Sequence, residues 1–192
     1  MHAMKHPGPA MPLSGERVSL APVEADDRER LAPFFADPAA VFYYLPDTVW
    51  PRNHAQFEAM MNVWNDGQTN FAFACRVDGT TIGLATLSDV DYTSGHGEVG
   101  IMLLEPFRGE GYASEAMALL SDYAFGELRL HRLMARVADV NAPSLALFER
   151  LGFVREGRLR EGMRRRHGYV DFILFGLLSD EWAGRSQRPC DA

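Results

Sequence analysis

Apolar and polar positions along this chain switch between two periods, and the switches mark its elements. Arg17-Val18-Ser19-Leu20-Ala21-Pro22 predicts a short first strand. Asp26 to Phe35 predicts a helix with acidic residues in its first turn, ended near Asp37-Pro38. An aromatic loop follows, Phe42-Tyr43-Tyr44-Leu45-Pro46 through Trp50-Pro51. Asn53 is placed to cap a second helix running to about Asn65, with Phe57, Met60, Met61 and Trp64 on its inner face. Phe71–Val77 and Thr81–Ser88, on either side of Asp78-Gly79, read as an antiparallel hairpin. A turn at Thr93-Ser94-Gly95 then leads into a buried strand, Glu98–Leu104.

Beyond it, Ala113, Ala116, Met117, Leu120 and Ala124 recur at helical spacing and predict a helix over residues 112–127. Arg132–Val140 alternates as a strand. Asn141 can cap a short helix ending at Leu151-Gly152, and Phe153–Arg158 and Val170–Leu178 are the last two strands. No repeat, linker or low-complexity segment interrupts residues 16–182, so one domain is expected there. It would lie between a Pro/Gly-rich disordered tail at 1–15 and a C-terminal tail at 183–192.

The 192 residues, 47% hydrophobic, suffice for one substantial core. No apolar run approaches the ~20 residues of a membrane span, and the N-terminus lacks an apolar signal core. Cys75 and Cys190 make neither a disulfide framework nor a metal site, and the histidines show no short paired spacing. A reducing cytoplasm and a site without metal are the expectations. The net charge of −7 is uneven: residues 1–106 sum to −8 and residues 107–168 to +3. The overall sign and the absence of a nucleic-acid motif disfavour a nucleic-acid binder. The acidic first half would suit a cationic substrate such as an amine, or be solvated surface only.

The positive section opens with Arg108-Gly109-Glu110-Gly111-Tyr112-Ala113, which joins the buried strand to a helix through a glycine-rich turn. Unpaired backbone N–H groups and the helix dipole converge there, which suits the turn to a phosphate, with Arg108 adding a side-chain charge. A plain strand-to-helix turn is the alternative. No Gly-Lys-Ser/Thr follows, and a Gly-x-Gly-x-x-Gly fingerprint does not fit. The pyrophosphate of some other cofactor is what remains.

Three segments carry a family resemblance: Gly97–Leu104 with Arg108–Ala116; Asn141-Ala142-Pro143-Ser144-Leu145-Ala146-Leu147-Phe148-Glu149-Arg150-Leu151-Gly152-Phe153; and Tyr169-Val170-Asp171-Phe172 with the apolar strand after it. In this order and spacing the chain resembles the GNAT superfamily of acyl-CoA-dependent N-acyltransferases. Within it, the chain is most similar to the ribosomal-protein N-terminal acetyltransferase (Rim-type) branch. The resemblance implies an α+β fold: a mostly antiparallel central sheet of about seven strands, helices on both faces, splayed between the fourth and fifth strands, here 98–104 and 132–140. It implies acetyl-CoA as co-substrate in that gap. Backbone groups near Met102 and Leu103 would pair with the pantetheine arm. Amides of Arg108, Gly109, Gly111, Tyr112 and Ala113 would hold the pyrophosphate. Asn141, otherwise a helix cap, would help fix the arm.

The reaction so implied is direct attack of a neutral amine on the thioester, with no covalent enzyme intermediate. Glu98 matches the position of a base acting directly or through water; its alternative is a solvated strand-end glutamate. Many relatives place a thiolate-protonating tyrosine where this chain has Phe148. Ser144, in the first turn of its helix, matches the serine of the Rim branch and could donate to sulfur instead. Tyr43, Tyr44, Trp50 and Phe42 fall where the family builds its acceptor pocket, with core packing as the alternative. Asp171 could face the acceptor amine or pair with an arginine.

The expected partners are acyl-CoA and an amine: a peptide N-terminus, or a small molecule such as an aminoglycoside, polyamine or amino acid. Rival readings are a non-catalytic acyl-CoA-binding sensor, favoured by Phe148, and a ribosome- or RNA-contacting module using Arg164-Arg165-Arg166. The sequence does not give the oligomeric state, for which a monomer or homodimer is expected.

Overall fold

The computed structural model describes residues 13–38, 40–44, 52–165 and 168–186, with the side chains of residues 42, 43 and 184–186 left aside. In chain order its elements are β1 (Leu13–Ser14), β2 (Ser19–Pro22), α1 (Ala25–Ala36), α2 (His54–Trp64), β3 (Phe71–Val77), β4 (Thr80–Asp91) and β5 (His96–Leu103). There follow α3 (Tyr112–Gly126), β6 (Arg132–Ala138), α4 (Ala142–Arg150), β7 (Val154–Arg165), β8 (Gly168–Leu178) and α5 (Ser179–Ser186). The eight strands form one sheet in the order β1-β2-β3-β4-β5-β6-β8-β7. Every neighbouring pair is antiparallel except β5–β6.

The fold is the mixed α+β arrangement that the resemblance implied, with additions at both ends. β1 lies inside the stretch expected to be tail. Gly15 N donates to Val18 O across 2.8 Å, and this tight turn returns Leu13 alongside Leu20. α5 crosses the expected boundary at 182, anchored by Trp182 Nε1, which donates to Asp122 Oδ1 at 2.7 Å. β7 runs well past Arg158. Its residues from Val154 to Gly162 are all exposed, so no alternation of burial marks the strand in the sequence. Arg164 and Arg165 do sit at the end of β7 next to the hairpin tip, whereas Arg166 lies outside the described residues.

Each face of the sheet has its own core. Val18, Leu20, Phe73, Ile82, Leu87, Val99 and Leu133 pack beneath α3 and α4, where Met117, Leu120 and Leu147 meet them. Ala72, Leu84 and Met102 pack beneath α1 and α2 against Leu31, Phe34, Phe35, Phe57 and Met61. Fully burying a side chain of this size stabilises by about 1.5–3 kcal/mol. Ile82 and Leu84 reach opposite faces although they are two residues apart. The β3–β4 register slips between Cys75/Gly83 and Arg76/Thr81, which leaves Ile82 as the extra residue.

α1 is fixed to the sheet through a buried carboxylate. Asp27, only 2% exposed, accepts from the Glu24 backbone N–H at 2.8 Å and from Arg76 Nη2 at 2.6 Å. The Thr81 hydroxyl also donates to it. Burial alone would raise its pKa, but the hydrogen bonds from Arg76, Thr81 and Glu24 outweigh that and hold it below the usual carboxylate range.

The site is positioned by the one parallel pair. β5 and β6 are paired only at His96–Glu98 with Arg132–Met134. Beyond those residues β5 stays with β4 as far as Leu103, and β6 stays with β8 as far as Ala138. Each strand follows its antiparallel partner, so a wedge opens between them. Counted with β1 they are the fifth and sixth strands, and they are the two segments expected to splay.

Candidate active site

The wedge widens into a cleft of about 1040 Å³, walled by β5, β6, the first turn of α3, and α4. Met102, Leu103, Arg108, Gly109, Gly111, Tyr112, Ala113, Asn141, Ser144, Glu98 and Tyr44 all line it. On β5 the side chains alternate: Val99, Ile101 and Leu103 join the core under α3, and Met102 joins the core under α1 and α2. Glu98 and Gly100 therefore share the face of Met102.

At one end, Gly109 and Gly111 hold φ of +86° and +84°, a left-handed conformation that glycine adopts without strain. Gly111 is the N-cap of α3 and supplies no side-chain cap. The first amides of this helix are thus left for a ligand, and the turn fits a pyrophosphate. Arg108 braces the turn by donating from Nε to Leu103 O at 2.8 Å.

Two further arginines flank the turn, and no local pattern along the chain singles them out. Arg17 donates to Glu110 O at 3.0 Å and lies 4.9 Å over the Tyr112 ring. Arg150, at the C-terminal end of α4, donates from Nη2 to Ser114 Oγ at 2.7 Å. Arg150 stands in the quoted motif, but only the packing of α4 against α3 puts it on the cleft wall.

At the base of the wedge, the half-buried carboxylate of Glu98 accepts from Arg136 Nε at 2.9 Å. That hydrogen bond raises the pKa of Arg136 against the opposing effect of burial. Asn141 caps α4 as expected, its Oδ1 accepting from Ser144 N at 3.3 Å, and this puts the half-buried Ser144 on the wall. Phe148 is a core residue as well as a wall residue. Its ring meets Phe153 at 5.0 Å and stacks on Phe175 at 5.8 Å.

On the α1–α2 side stand Phe34, Trp64, Thr86, Ser88 and Tyr44. The Tyr44 ring packs edge-on against Phe34 at 6.2 Å and Trp64 at 5.8 Å. Its hydroxyl is buried, and burial pushes its pKa up against the opposing effect of a side-chain hydrogen bond with Thr86. The Tyr43 side chain and the whole of Trp50 lie outside the described residues.

Asp171 is not brought to the cleft. Its carboxylate accepts from Glu161 N at 2.6 Å and pairs with Arg158 on the β7–β8 hairpin. The Glu161 amide first, then Arg158, holds its pKa low. Pairing with an arginine, one of the two alternatives left by the sequence, is what the structure has. The physical reason is register: β7 lies directly beside this part of β8 and supplies both partners.

The charge of the cleft opposes that of the chain. Among the described residues lining it, Glu98 is the one carboxylate, against Arg108, Arg136 and Arg150. A wall of this sign suits a multiply anionic ligand.

The sequence model of the acetyltransferase (GNAT) domain matches residues 17–154. The chain belongs to the GNAT acetyltransferase family. It is 31% identical over 175 residues to "Uncharacterized N-acetyltransferase p20" of Bacillus licheniformis, covering 90% of this chain and 98% of that one. It is similar in structure to the spermidine N-acetyltransferase of Vibrio cholerae in complex with CoA and spermine. The TM-score is 0.81 at 22% identity, over 88% of this chain and 99% of that chain. RimJ of Mycobacterium smegmatis in complex with CoA-disulfide gives a TM-score of 0.76 at 22% identity, over 85% of this chain and 83% of that chain. At these identities the two structures bear on the fold.

As a GNAT enzyme the chain is an acyl-CoA-dependent N-acyltransferase whose donor is acetyl-CoA. The uncapped helix terminus, the two left-handed glycines and the cationic wall fit that donor's phosphates. Among the described residues no helix is long and apolar enough to cross a membrane.

Proposed function

We propose that this GNAT enzyme acetylates the α-amine of a peptide or protein N-terminus. One observation carries the choice of acceptor: among the described residues the cleft presents one carboxylate, Glu98, already paired with Arg136. A polyamine carries several ammonium groups, and each needs an anionic partner once desolvated. A peptide N-terminus brings a single amine followed by neutral amides, which suit the hydroxyl-bearing wall of Thr86 and Ser88. The acidic first half of the chain therefore does not favour a polycation at the site itself, because among the described residues its carboxylates, Glu98 excepted, do not line the cleft.

In this reading, Glu98 takes the proton from the attacking amine, directly or through water. The bound donor supplies a thioester carbonyl carbon; the new C–N bond forms there as the C–S bond breaks, and the pair leaves on sulfur. Ser144 Oγ donates to that departing thiolate, at the place where Phe148 has no proton to give. Amides of Arg108, Gly109, Gly111, Tyr112 and Ala113 hold the pyrophosphate. The backbone at Met102 and Leu103, with Asn141, holds the pantetheine arm. Tyr44, with Tyr43 and Trp50, walls the acceptor. Asp171 has no part in it.

A covalent relay finds no support at Cys75, which is 0% exposed and whose thiol pKa burial pushes up. The same reading places the enzyme in the cytoplasm, as a monomer or homodimer with one catalytic domain over residues 16–182.

Spermidine is the rival acceptor, because the structural relative from Vibrio cholerae binds spermine. Turnover with acetyl-CoA, followed by free thiol and product mass, decides between them. Peptides beginning with Ala or Ser should show the higher kcat/KM, and a higher value for spermidine overturns the reading.

A further inference from the structure

Arg17 lies two residues before β2, and its side chain is directed at the start of α3. The guanidinium has three partners there. Nη1 donates to Glu110 O at 3.0 Å, Nε donates to Glu115 Oε2 at 3.3 Å, and the group lies 4.9 Å over the Tyr112 ring. The Glu115 carboxylate is fixed in turn by the backbone N–H groups of Arg17 and Val18, at 2.6 and 2.9 Å. One arginine thus bonds residues 93 and 98 positions further along the chain.

The bond to Glu110 O decides which way a peptide faces. A planar trans peptide sets its carbonyl and its N–H on opposite sides. Holding the Glu110 carbonyl therefore points the Gly111 amide away from Arg17. Gly109 and Gly111 line the cleft, whereas Arg17 and Glu110 do not, so the side turned away from Arg17 is the cleft side. Local chemistry does not impose this orientation. Gly111 holds φ of +84°, yet glycine takes negative φ about as readily. Turned over, the same peptide would present a carbonyl oxygen to the donor's phosphates and repel them.

We propose that Arg17 is a positioning residue for the donor: it holds the Glu110–Gly111 peptide with its N–H toward the pyrophosphate and so presets the cradle before acetyl-CoA arrives. This rests on the reading above that the glycine turn holds the pyrophosphate. Arg17 touches neither donor nor acceptor and acts through Gly111.

The test measures CoA binding by calorimetry in wild type, Arg17→Met and Arg17→Lys, at salt concentrations of about 0.05 M and 0.5 M. Arg17→Met should bind CoA about tenfold more weakly, because only part of the free enzyme then holds the binding orientation. That ratio should be the same within about twofold at both salt concentrations. Arg17→Lys keeps the charge but lacks the planar fork that reaches Glu110 and Glu115 together, so it should lose nearly as much. In the free enzyme, relaxation dispersion should show exchange at the amides of residues 109–112 in Arg17→Met and not in wild type. The backbone N–H groups of residues 17 and 18 still hold Glu115, so Tm should stay within about 4 °C of wild type.

A ratio that collapses toward one at the higher salt, or full recovery in Arg17→Lys, would show that Arg17 acts as a charge alone. A larger fall in Tm without exchange at the turn would assign Arg17 to holding β2 against α3. Unchanged CoA affinity in Arg17→Met, with Gly111→Val still losing it, would show that the turn sets itself. Each of these results overturns the proposal and leaves the pyrophosphate reading standing. Wild-type CoA affinity in a folded Gly111→Val would remove the pyrophosphate from the turn, and this proposal with it.

Discussion

Arg136 Nε donates to Glu98 across 2.9 Å at the point where β5 and β6 part company. Glu98 is the last β5 residue paired with β6, and Arg136 lies two residues beyond its partner, Met134. The ion pair therefore closes the base of the wedge, and the carboxylate of the candidate base is oriented toward the cleft by a charge on the opposite strand.

Glu98→Gln keeps the shape and the hydrogen bond from Arg136 but cannot take a proton. Turnover should fall by about 100-fold while acetyl-CoA affinity stays within twofold. Steady-state kinetics with matched calorimetry reads both quantities. Wild-type turnover in the variant would remove Glu98 from the chemistry.

Gly111 caps α3 at a φ of +84°, and a Cβ there would come within 3.2 Å of Arg17 Nη2. Gly111→Val adds backbone strain of about 1–3 kcal/mol and crowds the amides. CoA binding should weaken at least tenfold by calorimetry, with the far-ultraviolet circular dichroism retained. Equal CoA affinity in the folded variant would show that the pyrophosphate lies elsewhere.

Arg150 forms no ion pair among the described residues, and its hydrogen bond goes to the neutral Ser114 hydroxyl. A guanidinium so placed beside an anion-binding turn suits a second phosphate on the donor. Arg150→Met should weaken CoA binding about tenfold and dephospho-CoA binding by less than twofold. Equal weakening of both ligands would assign Arg150 to the pyrophosphate or to the helix packing.

Asp27 ties α1 to β3 and β4, and its pKa is lower folded than unfolded. Its contribution to stability is complete above the unfolded value of about 3.9 and is lost as pH falls through the lower folded value. Asp27→Asn leaves Arg76 without its anion and should cost about 3 kcal/mol near pH 7. The gap from wild type should narrow below about pH 4, as urea melts at both pH values would reveal. A constant difference would mean that Asp27 acts only by shape and hydrogen bonding.

The order of strands and helices, the glycine turn and the Asn141 cap could all be read along the chain, because each depends on residues within a few positions of one another. Apolar runs bounded by turn residues marked β3 to β5, alternation marked β6, and a helical apolar face marked α3. β7 escaped because its exposed residues carry no such period. β1 escaped because a two-residue strand exists only through the Gly15 turn and its pairing with β2. Asp171 shows the same limit: its identity allowed either a substrate amine or an arginine, and strand register decided for Arg158.

What the chain determined by itself was therefore local: where backbone amides would be left free, where a carboxylate and a serine would stand on their elements, and which apolar stripe each helix would bury. Only the tertiary structure decided the sign of the cleft, the pairing of Glu98 with Arg136 and the approach of Arg150 to Ser114. Those depend on distances between residues tens of positions apart. Such distances are fixed by how β5 and β6 diverge and how the helices settle on the sheet, and composition and periodicity carry no measure of them.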